Sequence, residues 1–159
     1  MSRKLTALLA FAAAMIATPC AWAEGSVADV TDMQALRAAV KTDKKALVVT
    51  TLALTDAEAK KFWPIYDAYQ RTIDAANRKR NVAIEGLISR DKPMSDPYAK
   101  ALMKDLFDAD DAEVSARRTM QNRLMRAMPA KKVARYVQLE AKIRATQAYD
   151  IAATFPLVK

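Results

Sequence analysis

LTDAEAKKFWPIYDAYQ, residues 54–70, combines a helix start signal with apolar residues at helical spacing. Thr55 is a typical helix N-cap, and Glu58 completes a capping box in which side chain and backbone satisfy each other's free N–H groups. Phe62, Tyr66 and Tyr69 then follow at the spacing of one helix face. The stretch therefore predicts a long helix that opens at Leu54–Thr55.

Pro64 lies inside this helical pattern. An interior proline removes one backbone hydrogen bond and clashes with the carbonyl four residues earlier, here that of Lys60. We expect the helix to bend near residues 60–64. The alternative is a short capped turn, with the helix itself starting at Trp63 or Pro64.

Apolar residues at helical spacing continue through the rest of the chain, with only two glycines. The residues Asp91-Lys92-Pro93-Met94 break the pattern, and Pro129 suits the first turn of a new helix. The predicted fold is all-α, a long bent antiparallel helical hairpin with a fold-back C-terminal helix. We expect the apolar tail 155–158 to dock on the core. The four predicted helices span residues 31–49, 54–90, 95–127 and 129–153.

The exposed faces of these helices carry acids that precede bases by four residues. Each such pair stabilises a helix by only about 0.2–0.5 kcal/mol, but six of them indicate long solvated faces. The pairs are Asp56/Lys60, Asp67/Arg71, Asp74/Arg78, Asp96/Lys100, Glu113/Arg117 and Glu140/Arg144.

The N-terminus has the form of an export signal. A basic start is followed by an apolar run over residues 5–17, which is shorter than the ~20 residues that span a bilayer. Small residues at Ala21 and Ala23 predict cleavage after Ala23. The alternatives are an uncleaved membrane anchor or a lipoprotein attached through Cys20. We expect a periplasmic single domain over residues 24–159, with a flexible lead over 24–30.

The remaining chain would contain no cysteine and no histidine. This composition argues against His- and Cys-based metal sites and against Ser-His and Cys-His nucleophiles, so we expect neither an enzyme nor a cofactor. Without residues 1–23 the net charge falls from +8 to +6, because Arg3 and Lys4 are lost. For an exported protein this charge favours anionic membrane surfaces or acidic polypeptides over nucleic acid, although it could serve solubility alone.

The residues around the capping box resemble the LTxxQ group of periplasmic proteins, which includes the Spy and CpxP chaperones and stress regulators. Glu58 stands where that group usually has Gln, and its second motif is replaced here by residues 128–132. The chain is also similar to uncharacterised exported proteobacterial helical proteins. The matching motif residues are Leu54, Thr55, Glu58, Phe62, Trp63, Pro64 and Tyr66.

This resemblance implies an all-α bent hairpin, often a homodimer, that binds unfolded proteins without ATP through basic and apolar faces. The alternative is a structural or regulatory partner of one envelope protein. Flexible methionines and mobile cations suit such a face, although the methionines could equally be core and the cations a solvated face. The candidate client-binding residues are Arg78, Lys79, Arg80, Arg117, Arg118, Met120, Arg123, Met125, Arg126 and Met128.

A run of acids on the third helix and the single residue Glu140 each have two possible interpretations. A run of carboxylates on the third helix, between Asp105 and Glu113, could collect a cation but lacks the glycine of a calcium loop. We expect the run to pair with basic segments of the second or fourth helix, or of a second subunit, and predict no metal site. Glu140 could be a buried acid, but we expect a plain helix pair with Arg144.

Overall fold

The computed structural model describes residues 32–157, and every regular element in that range is a helix. This confirms the predicted all-α fold with four helices. The predicted signal peptide, Cys20, the lead over residues 24–30 and Val158 lie outside the described residues. The helices are α1 (Met33–Leu52), α2 (Asp56–Ile88), α3 (Asp96–Ala127) and α4 (Ala130–Thr154).

The start of α2 has the predicted capping box. The Thr55 hydroxyl accepts the Glu58 N–H at 3.3 Å, and the Glu58 carboxylate accepts the Thr55 N–H at 2.8 Å. The helix continues through Pro64 without interruption, so the alternative start at Trp63 or Pro64 is wrong. The bend at residues 60–64 stays a prediction.

The break in helical geometry occurs instead in α1, at Asp43, where φ is −159° and ψ is 95°. The Asp43 carboxylate accepts the Ala46 N–H at 2.9 Å, so it caps the second part of the helix from inside. α1 ends at Ala53, which adopts the left-handed conformation with φ of 43°. The β-branched run from residue 46, the most strand-like in the sequence, is helical up to Leu52.

Helices that follow one another from α2 to α4 pair in antiparallel fashion. Arg90, just past the end of α2, lies over the Tyr98 ring near the start of α3, whereas Arg80 donates to Glu113 further along α3 at 3.1 Å. The chain then folds back, since Arg144 of α4 donates to Glu113 of α3 at 2.6 Å. The hairpin of α2 and α3 and the fold-back of α4 are both as predicted.

The hydrophobic core occupies only one end of the hairpin, which we call the base: residues 32–76 and 111–157. Aromatic rings pack edge to face there across helices, with Phe62 and Tyr136 at 5.1 Å between centroids. The core residues are Leu36, Val48, Leu52, Phe62, Tyr66, Tyr69, Ile73, Met120, Leu124, Met128, Val133, Tyr136, Leu139 and Ile143.

The other end of the hairpin, residues 77–110, is a two-helix projection that we call the arm. Its buried apolar side chains, Ile84, Leu102 and Ala109, lie outside the core cluster. Several large apolar side chains of the arm are instead exposed to solvent: Val82, Ile88, Met103 and Phe107.

Glu140 corrects one prediction. It is 2 % exposed and pairs with Lys44 of α1 at 3.3 Å and with the Tyr69 hydroxyl at 3.1 Å, not with Arg144. Burial, and next the nearby Glu140 charge, raise the pKa of both the Tyr69 and the Tyr136 phenol. The prediction was wrong because the apolar neighbours of Glu140 face the core, which carries its carboxylate inward.

Two further predictions are corrected by the structure. Phe155 is half-buried, but Leu157 is 92 % exposed, so among the described residues 155–157 the tail packs only at its first residue. Among the six predicted helix pairs, Glu113 and Arg117 at 3.9 Å are the one pair within ion-pair distance in the described range. Several of the other charged groups prefer partners on neighbouring helices.

Candidate functional site

The basic run on α2 is divided by its partners on α3. Lys79 contacts Asp108 at 2.7 Å and Asp105 at 3.4 Å, and Arg80 contacts Asp110 at 2.8 Å. Arg78 alone stays exposed without an ion pair within the described residues. Lys79 and Arg80 therefore join the two helices of the arm, and only Arg78 of the run keeps a charge that a partner could contact.

Four of the five carboxylates in the run on α3 pair as predicted with α2 or α4, whereas Asp111 forms no ion pair within the described chain. The Lys104 and Lys79 ammonium groups, which donate to Asp108, lower the pKa of its carboxyl to about 2. Within residues 32–157, no group of three or more His, Cys, Asp or Glu side chains is arranged to hold a metal ion.

The predicted methionines separate into two environments. Met120 is 2 % exposed and Met128 is 8 % exposed, so both pack in the core and cannot form part of a surface face. Met125 is 55 % exposed. Helix periodicity explains the division, because Met120 and Leu124 share the inward stripe of α3 whereas Met125 lies one position beyond it.

The exposed client-binding candidates of α3 from Arg118 onward lie at one end of the base, where α3 meets α4. We call residues 118–135 the elbow; they contain six Lys and Arg and no Asp or Glu. Lys132 pairs with Glu58 at 2.5 Å. The other five cations are exposed and form no ion pair within the described part of the chain: Arg118, Arg123, Arg126, Lys131 and Arg135.

The pairing of Lys132 also explains the predicted motif. Its ammonium group contacts Glu58 and the Ala53 carbonyl, at 3.1 Å, so it holds the α1–α2 connection to the start of α4. The Lys132 contact, first, and the Thr55 backbone N–H lower the pKa of Glu58. The motif residues Thr55 and Glu58 therefore have a structural role.

Sequence reasoning missed Lys131 and Arg135 as part of the basic surface. They belong to a different helix from Arg123 and Arg126, and only the connection at Pro129 brings the two helix ends together. The sequence feature that could have identified these two residues is the absence of acids over residues 118–135.

A second concave surface lies where the arm meets the base. A cavity of about 730 Å³ opens between α2, α3 and the end of α4. Its apolar wall includes Ile73, Val114, Ile151 and Phe155. We call this cavity the cradle.

Three arginines from three helices surround Glu113 in the cradle. The Arg144 guanidinium donates to the Glu113 carboxylate at 2.6 Å, that of Arg80 donates at 3.1 Å, and that of Arg117 lies 3.9 Å away. Arg80 and Arg117 were predicted as client-binding residues from distant parts of the sequence, and the structure brings them together. Arg144 was not predicted for this surface, because its sequence spacing pointed to Glu140.

These surfaces combine charge with apolar contact area. No described helix has both the length and the apolarity needed to cross a membrane. No family model matches the chain, and no curated protein or solved structure matches it significantly.

Proposed function

We propose that the protein is an exported, ATP-independent binding protein of the periplasmic chaperone or envelope-stress type, which holds acidic and partly apolar segments of unfolded proteins. The observation that carries the proposal is the elbow. The elbow contains five exposed cations without ion pairs in the described chain and the exposed Met125, with no acid over residues 118–135.

The chemistry of the elbow suits such clients. Unpaired cations attract acidic segments over about 8–10 Å at physiological salt, and a mobile thioether adapts to different apolar side chains. Each surface contact is weak, so binding is reversible and tolerant of sequence. The cradle would add a concave apolar wall beside Arg117 and Arg144.

The proposal agrees with the resemblance to the LTxxQ group, from which export, the absence of ATP and the chaperone role are taken. Likeness of fold is a weak reason to transfer function. The charge and exposure of the elbow are independent of that resemblance.

The test is suppression of aggregation by the purified chain, residues 24–159, with an unrelated unfolding protein at near-equal molar ratio and no nucleotide. The wild-type chain should suppress aggregation, and moderate salt should weaken the effect. Arg123→Glu combined with Arg126→Glu should lose most of the suppression while far-UV circular dichroism stays unchanged.

The matched control is Lys41→Glu combined with Lys92→Glu, which makes the same change in net charge at exposed positions outside the elbow. Equal suppression by the elbow variant and the wild type would overturn the proposal. If the wild type suppresses nothing, crosslinking in the periplasm that captures one envelope protein would instead favour the role of a dedicated partner.

A further inference from the structure

The outer side of α3 on the arm carries an apolar strip that the core does not use. Met103 is 45 % exposed and Phe107 is 59 % exposed, and they lie one helical turn apart. Together with Ala99 they line a shallow depression formed by α3 alone. We call Ala99, Met103 and Phe107 the outer strip.

The strip is offset from the stripe that packs against α2. Leu102 and Ala109 are buried on the side that faces α2. Met103 and Phe107 each follow a buried or half-buried residue in the sequence, and their own side chains project to solvent. Large exposed aromatic and methionine side chains grouped on one helix are typical of a contact surface. Nothing in the described chain covers them.

The charges that flank the strip identify its occupant. Lys100, toward the start of the strip, and Asp111, toward its end, are both exposed and form no ion pair within residues 32–157. They lie eleven positions apart, which is about 16 Å along the helix. One side of α3 therefore has a base, then apolar contact area, then an acid.

Such a surface is complementary to itself when a second copy runs antiparallel. With a two-fold axis near residues 105–106, Lys100 of each copy lies opposite Asp111 of the other, and the two apolar strips meet between them. The intrachain pair of Lys104 and Asp108, at 2.7 Å, would flank the contact. A parallel pairing would place like charges together, which is unfavourable.

We propose that the outer strip is the interface of a homodimer, in which α3 packs antiparallel on α3 of a second copy. A single helix pair buries less than the ~800 Å² per partner of standard stable interfaces. The dimer should therefore dissociate at micromolar concentrations. It leaves the elbow free, so its existence is independent of the proposed client binding.

The first experiment is sedimentation velocity on residues 24–159 from about 1 to 500 µM. The wild type should shift from monomer to dimer as concentration rises, and Phe107→Asp should stay monomeric throughout. The control is Val82→Asp, an equally drastic change at a 69 % exposed position that is not part of the strip; it should dimerise like the wild type.

A charge exchange then tests the antiparallel register with variants that do not touch packing. Lys100→Asp alone and Asp111→Lys alone should each raise the dissociation constant about fivefold, since each replaces attraction by repulsion at two symmetric places. The double variant should return to within about twofold of the wild type.

Three outcomes would overturn the proposal. They are a wild type that remains monomeric at 500 µM, a dimer indifferent to Phe107→Asp, or a double charge variant as weak as the single ones. If Phe107→Asp abolishes suppression of aggregation in a protein that is always monomeric, the strip binds clients and the dimer is excluded.

Discussion

Helices α2 and α3 run through both the base and the arm, but the two regions are stabilised differently. In the base, α2 and α3 pack against α1 and α4 around a continuous apolar cluster. In the arm, the same two helices have only each other, and interhelical ion pairs supplement a few buried apolar side chains. A helix hairpin can therefore continue beyond its core where charges on the two helices match.

The two regions also differ in charge. The base contains 16 Lys and Arg against 10 Asp and Glu, and the arm contains 7 against 6. Free cations concentrate at the elbow of the base, whereas the arm has nearly balanced charge and exposed apolar side chains. The proposed client surface and the proposed dimer surface therefore fall in different regions.

Truncation of an aromatic ring in the core should show the largest difference in unfolding free energy between the base and the arm. Phe62, 1 % exposed, contacts three other aromatic rings, so Phe62→Ala should lower the free energy of unfolding by ~3–5 kcal/mol. Val82→Ala on the arm should change it by less than ~0.5 kcal/mol. Urea denaturation followed by circular dichroism gives both values; equal losses would show that the arm is as tightly packed as the base.

The buried ion pair of the base should give the next largest effect. Lys44→Met leaves the Glu140 carboxylate, 3 % exposed as a side chain, without its cation and should cost ~3 kcal/mol. Lys44→Met combined with Glu140→Leu should recover much of that loss, because no buried charge remains. A double-mutant cycle by chemical denaturation measures the coupling, and additive losses would show that the two groups do not interact.

Two substitutions that involve glycine, one in the base and one in the arm, should have smaller effects on stability. Ala53 of the base has φ of 43°, where glycine is favoured, so Ala53→Gly should stabilise the protein by ~0.5–1 kcal/mol. Gly86 is helical, and a methyl group there would lie 3.3 Å from the Tyr98 hydroxyl, at the far end of a side chain.

Because that hydroxyl can move by a few tenths of an ångström, Gly86→Ala should also stabilise its helix by up to ~1 kcal/mol. Thermal denaturation measures the first change, and amide hydrogen exchange in the arm measures the second. Faster exchange around residue 86 would show that Tyr98 cannot give way.

Low pH should weaken the ion pairs of Asp108 in the arm, and we expect this to be the smallest of the effects on stability. Because the folded-state pKa of Asp108 is about 2, below its ordinary value of 3.8, its contribution is present above pH ~4 and is lost as pH falls toward 2. An NMR titration of the Asp108 carboxyl should show that low pKa. In Lys79→Met the pKa should rise toward its ordinary value, and an unchanged pKa would exclude the interhelical contact.

Local patterns predicted the helices well. Thr55 and Glu58 are three residues apart, so the capping box depends on no other part of the chain. The breaks near residues 91–94 and at Pro129 likewise follow from backbone preferences. α1 was less predictable, since Asp43 interrupts a helix in which Lys44 also reaches Glu140.

The candidate surfaces were predicted only in part. Arg123, Met125 and Arg126 could be identified because unpaired cations and an exposed thioether are visible in composition and periodicity. The burial of Met120 and Met128 and the pairing of Arg80 depend on which helix faces which neighbour, and six plausible helix pairs did not reveal those partners.

The four helices, the capping box of α2 and the breaks between helices could be predicted from the sequence, because they depend on residues that lie a few positions apart. The neutralisation of charges could not, because it depends on tertiary contacts: Glu140 meets Lys44 and Glu113 meets Arg144 across long stretches of chain. Packing fixes the rotation of each helix about its axis, and that rotation selects the partner of every charged side chain. The elbow and the outer strip are two surfaces that the rest of the described chain leaves exposed.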